Sequence, residues 1–150
     1  MTIHWFWVHI TLILSGVSGF MIAVASAFLY LFQSSQLKSK HPARIFLKLP
    51  SLSALDQLHF TALSWGVILF SLGIISGVFW AKEIQELSQV FKDPKVILSF
   101  FTCFMYWVVL ATRLSNLKRG QKIAIGTLVV FVLLFSTLAS SHYGSFHRGF

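Results

Sequence analysis

Residues 1–37 contain no Asp, Glu, Lys or Arg. A domain in water cannot be built around such a segment, because soluble surfaces carry charge throughout. The run from Trp5 to Phe32 is long enough to cross the ~30 Å hydrocarbon layer of a membrane with tilt. It stops at Gln33-Ser34-Ser35-Gln36. Lys38, Lys40, Arg44 and Lys48 follow, in a linker punctuated by Pro42 and Pro50. The segment lacks the positive start of a cleavable signal and exceeds the usual apolar length of about 7–15 residues, so it is expected to be kept as a first span.

The pattern recurs three times. Ser53, with Asp56 three residues on, reads as a capping box that opens a second span. That span runs from about Leu58 to Trp80, and Lys82, Glu83 and Glu86 end it. Pro94 suits the first turn of a third helix, which Arg113, Lys118 and Arg119 close. Ile123 to about Ser140 is a fourth. The expected fold is all-α. It is a single polytopic membrane domain over residues 1–150, a bundle of four transmembrane helices at about 5–32, 58–80, 96–112 and 123–140, with a basic cytoplasmic linker over 33–57. Apolar residues make up 56% of the chain and charged residues 11%, against roughly 25% charged in soluble domains. Sixteen Phe and five Trp suit acyl chains and headgroup borders.

The formal net charge is +8. A nucleic-acid-binding face would need polar helices to carry it, and the Lys and Arg instead sit between apolar runs, so nucleic acid is not an expected partner. The first linker and the loop after the third span are strongly basic, whereas the middle loop balances Lys82, Lys92 and Lys95 against Glu83, Glu86 and Asp93. In a four-span chain the two basic loops share a side. The positive-inside rule makes that side cytoplasmic, which sends the N-terminus, the middle loop and the C-terminal tail outward.

Close helix contact in lipid needs small residues. Gly16, Gly19, Ala23 and Ala27 form a small stripe on the first span, and Gly66, Gly73 and Gly77 mark a face of the second. Cys103, the one cysteine, lies inside an apolar run and reads as a small packing residue.

Six histidines stand out in so apolar a chain, since an ionisable residue within a span is a functional candidate by default. His9 lies near the start of the first span, and its spacing to Gly16 and Ala27 places it on the small-residue face, toward the bundle interior. His142 and His147 follow the fourth span and are predicted at the same outer boundary. Two imidazoles from opposite sides of a flat macrocycle would make a six-coordinate heme iron. Trp5, Trp7, Trp80, Tyr143 and Phe146 are candidates to pack on the porphyrin. His4 is an alternative to His9. His41, in the basic linker, and His59, at the start of the second span, are predicted on the cytoplasmic side, with His59 interfacial. No nucleophile–base pair, paired carboxylates, phosphate loop or HExxH stands in the chain, so it is not read as an enzyme.

With these residues in hand, the chain resembles the C-terminal half of the cytochrome c assembly family, membrane heme-handling proteins of the CcsA, CcmC and HemX kind. Three stretches carry the likeness. Trp5-Phe6-Trp7-Val8-His9-Ile10 looks like the family's Trp-rich, His-bearing span start. Leu49 to Leu58 together with Leu72 to Trp80 is the most specific match. Asp93-Pro94-Lys95, a span, a basic loop and a last span near a histidine complete the order. The resemblance implies heme held at the outer face between two histidines flanking a tryptophan-rich loop. His9 takes the first position, and His147 the second, with His142 as its alternative. That loop is eroded, since Glu86 to Phe91 contain no tryptophan, which points to the HemX-like branch, associated with heme biosynthesis or its control. Expected partners are the lipid bilayer, heme, and a partner membrane subunit or a second copy, in a bacterial inner membrane. The competing expectation is a scaffold or regulatory membrane subunit without heme.

Overall fold

A computed structural model describes residues 2–37, 50–84, 90–115 and 120–139. They form four long helices: α1 (Thr2–Leu37), α2 (Leu52–Ile84), α3 (Pro94–Ser115) and α4 (Gly120–Ala139). All four are long and apolar enough to cross a membrane. At 1.5 Å per residue, the 36 residues of α1 reach about 54 Å. α1 and α2 therefore overrun the ~30 Å hydrocarbon layer, whereas the 20 residues of α4 match it.

The helices run up and down, each packed on its chain neighbour, with α4 closing back on α1. The antiparallel order can be read from partners. Gly19 of α1 meets Gly66 of α2, and nearer the N-terminus His9 meets Gly73 and Gly77. Asp56 of α2 pairs with Arg113 of α3, and Ser71 with Cys103. Thr102 of α3 faces Thr137 of α4.

The α1–α2 seam is the tightest because its small residues face one another. A Cβ on Gly16 would sit 2.7 Å from the backbone nitrogen of Phe70, and one on Gly19 would sit 3.0 Å from the Gly66 Cα. Backbone cannot step aside as a side chain can, so these glycines set the helix spacing. Phe20, Ala23 and Ala27 are fully buried along the same line. Phe20 stacks on Tyr106 of α3, with ring centroids 3.8 Å apart at 5°, and meets Phe70 edge-on at 5.5 Å. Those rings form the mid-bundle core.

Outward faces are apolar: Leu14, Met21 and Phe28 on α1, Phe104 on α3, Val132 and Phe135 on α4 are all exposed. A continuous apolar exterior of this kind is solvated by lipid. Serine hydroxyls in the spans are quenched on their own helices; Ser18, Ser26 and Ser64 each donate to the carbonyl four residues back.

The start of α2 differs from the expected capping box. Ser51, not Ser53, caps it, accepting the Ala54 N–H at 3.2 Å. Asp56 is drawn instead to Arg113, because a full ionic partner outcompetes a lone backbone N–H for a carboxylate.

Candidate functional site

At one end of the bundle the N-terminal ends of α1 and α3 meet the C-terminal ends of α2 and α4. His9 is held there by α2. Its Nδ1 lies 2.7 Å from the Gly73 carbonyl oxygen. An imidazole nitrogen facing a carbonyl carries the proton, so Nδ1–H donates to Gly73 and Nε2 keeps its lone pair. Ser76 Oγ donates to the same carbonyl at 2.8 Å. The imidazole rests on Gly77, where a Cβ would stand 2.7 Å from both Nδ1 and Cε1. Trp80, buried to 5% exposure, lies nearly parallel to the His9 ring at 20°, with centroids 6.1 Å apart. Phe6 packs on Trp80 at 5.2 Å, and Trp5 stacks on Phe79 at 5.5 Å.

Beside this group lies a cavity of about 190 Å³, whose walls include His9, Phe70, Trp80, Lys95, Phe100 and Thr137. Most of the lining is apolar. Lys95 is fixed at its edge by the way α3 begins. Asp93 caps the helix, its Oδ1 accepting the Lys95 N–H at 2.9 Å. Its carbonyl accepts the N–H groups of Val96 and Ile97 at 3.0 and 3.2 Å. Pro94 takes the first helical position, where a missing N–H costs nothing.

The opposite end holds a histidine that is fully buried, where His9 is half-buried. His59 is 2% exposed, and its Nε2 lies 3.0 Å from Thr127 Oγ1 of α4. The Thr127 hydroxyl donates to the Ile123 carbonyl at 3.1 Å, so it accepts from His59 Nε2–H. Asp56 and Arg113 form an ion pair one turn away, and the Arg113 guanidinium stands 5.7 Å over the Phe60 ring. Two expectations are corrected here. His59 is interior, because Thr127 gives it a partner in the bundle. Arg113, expected to close the third span in a basic loop, is buried at 9% exposure because Asp56 reaches it.

His9 and Trp80, both expected in the site, are brought together. His142, His147, Tyr143 and Phe146 lie outside the described residues, as does His41. Leu134 and Thr137 line the cavity with His9, so α4 brings its C-terminal end to the layer of His9. His4 and Trp7 are exposed. Gly77 and Lys95 were not among the expected site residues. Gly77 was legible as part of a packing face, but not as a seat for an imidazole. Lys95 carried a signal in the helix-opening Asp93-Pro94-Lys95, without any indication of which helices it would face.

Comparison with known proteins gives a consistent answer. The family model described as cytochrome C assembly protein matches residues 2–147. The chain is 31% identical over 127 residues to protein HemX of Bacillus subtilis, covering 85% of this chain and 46% of that protein. It is 26% identical over 139 residues to protein HemX of Brevibacillus brevis, covering 93% and 51%. It is 32% identical over 91 residues to cytochrome c biogenesis protein CcsA of Prochlorococcus marinus, covering 60% and 28%. The chain thus spans about half the length, or less, of these curated relatives. No solved structure matches it.

Proposed function

This chain belongs to the cytochrome c assembly protein family, and from that membership we propose that it is a heme-binding membrane protein acting in cytochrome c assembly or heme biogenesis. His9 would offer Nε2 to the iron of the bound heme. His147 would offer a second imidazole, with His142 as the alternative. The observation that carries the reading is the hydrogen bond from His9 Nδ1–H to Gly73 O. Metal-bound histidines characteristically donate their other N–H to a carbonyl or carboxylate, which fixes tautomer and ring orientation.

The residues fit such a group by their chemistry. An oriented nitrogen lone pair, the parallel face of Trp80 and an apolar cavity adjoin one another. Heme would supply the iron that is carried. The chain's own residues do the holding: Gly73 and Gly77 aim the imidazole, while Trp80 and Phe6 wall off its flank. Positive-inside topology directs this end of the bundle to the outer face of a bacterial inner membrane. The role is binding and delivery rather than turnover, alone or with a partner membrane subunit or second copy. A second reading is favoured by one feature: the His9–Gly73 bond also ties α1 to α2. In it the chain is a scaffold or regulatory subunit without heme, and His9 is a helix clamp.

Adding hemin to the purified chain in detergent separates the two. Binding as proposed gives a sharp Soret band of the six-coordinate type, lost in His9→Ala combined with His147→Ala. A spectrum identical to free hemin in detergent would overturn the reading in favour of the scaffold.

A further inference from the structure

We propose that Lys95 recognises a carboxylate of the bound macrocycle, making the site selective for a porphyrin with free acid side chains over its ester. The inference rests on the heme-holding reading above. Lys95 lines the same cavity as His9 and Trp80, in walls that are otherwise mostly apolar. The apolar part of the lining suits an aromatic plane, and a half-buried ammonium beside it is stabilised when an anion meets it.

Lys95 makes no ion pair among the described residues. The acid nearest in sequence, Asp93, has its Oδ1 committed to the Lys95 backbone N–H as the cap of α3. The contrast with Arg113 is direct, since that cation has Asp56. The site therefore presents a positive charge at the N-terminal end of α3, which no ion pair among the described residues neutralises, and an anion entering the cavity would meet it. Heme carries two propionates, whose charge an ammonium in apolar surroundings would stabilise more strongly than one in bulk water. Ser99, also in the cavity wall, anchors its hydroxyl on the Lys95 carbonyl at 2.8 Å and so stiffens the first turn of α3.

The test is a titration of the full chain in detergent with hemin and, separately, with hemin dimethyl ester, each followed by the Soret shift. The unmodified protein is expected to prefer hemin about tenfold or more, the range of one charge-assisted contact. Lys95→Met should erase that preference while leaving ester affinity within about twofold. Lys95→Arg should retain it, and serves also as the folded control if the methionine variant elutes as aggregate. Equal binding of the two ligands by the unmodified protein would overturn the role of Lys95 and leave heme binding standing. So would an unchanged preference in Lys95→Met. Absence of a Soret shift with either ligand would overturn heme binding itself, and this inference with it.

Discussion

The two ends of the bundle each pack a histidine between helices, His59 fully buried and His9 half-buried, yet use it oppositely. His59 donates through Nε2–H to Thr127, whose own hydroxyl is already spent on Ile123, and Arg113 beside it is matched by Asp56. The buried ion pair there is balanced from within the chain. At the other end His9 donates through Nδ1–H, keeps Nε2 free of its proton, and shares a cavity with a lysine that makes no ion pair among the described residues. The first arrangement is a strut, and under the proposed function the second is a receptor. Both imidazoles lie within membrane-spanning helices, so their presence alone discriminates nothing. What discriminates is which nitrogen carries the proton, and whether the neighbouring charges are already balanced.

The largest effect should come from breaking the strut. Arg113→Ala strands Asp56 near the end of the bundle. Loss of one partner from a buried pair costs about 3–5 kcal/mol, and the lower figure applies because the Asp56 side chain is 26% exposed. Thermal unfolding in detergent should register the loss, and adding Asp56→Asn should recover part of it. Hemin affinity should hold at temperatures where the variant is folded. A selective loss of the Soret band in Arg113→Ala, with unfolding unchanged, would show that this end too faces the ligand.

His59→Ala sharpens the division further. It removes a buried ring and the donor to Thr127, worth about 2 kcal/mol of stability, and should leave the heme spectrum as it was. His9→Ala should do the reverse, changing the spectrum far more than the unfolding temperature.

Much of this was legible in the amino-acid order, for physical reasons that also mark where legibility stops. A charge-free stretch from residue 1 to 37 has one solvent, so the helices and their number follow. Helical periodicity places His9 on the small-residue stripe, and that stripe does meet the glycines of α2. Pairings between helices are another matter. Asp56 resembles a capping residue until Arg113, 57 positions away, is brought beside it. His59 resembles an interfacial residue until Thr127, 68 positions away, offers an oxygen. Lys95 resembles loop charge until α3 turns its first turn toward α1 and α2. Each depends on the rotation of one helix against another, which packing decides and local sequence does not.

The smallest expected effect on the fold carries the most specific information. Gly77→Ala adds a single methyl to α2, and that carbon would stand 2.7 Å from the His9 ring. The contact is with a side chain rather than backbone, so α1 need not move; the imidazole must turn. Alanine also favours helix over glycine by about 1 kcal/mol, which offsets much of the crowding, and the unfolding temperature should barely change. The bond from Nδ1–H to Gly73 cannot survive the turn intact. Hemin affinity should therefore fall, by about tenfold if one oriented hydrogen bond to the ligand histidine is lost. The Soret band should shift toward a weaker-field form. Gly16→Ala makes a useful counterpart, because its methyl would strike the Phe70 backbone: there stability should fall by about 1–3 kcal/mol, with the spectrum of the folded fraction preserved. If both alanines acted on stability alone, Gly77 would be one more packing glycine, and the end of the bundle that holds His9 would be a strut like the other.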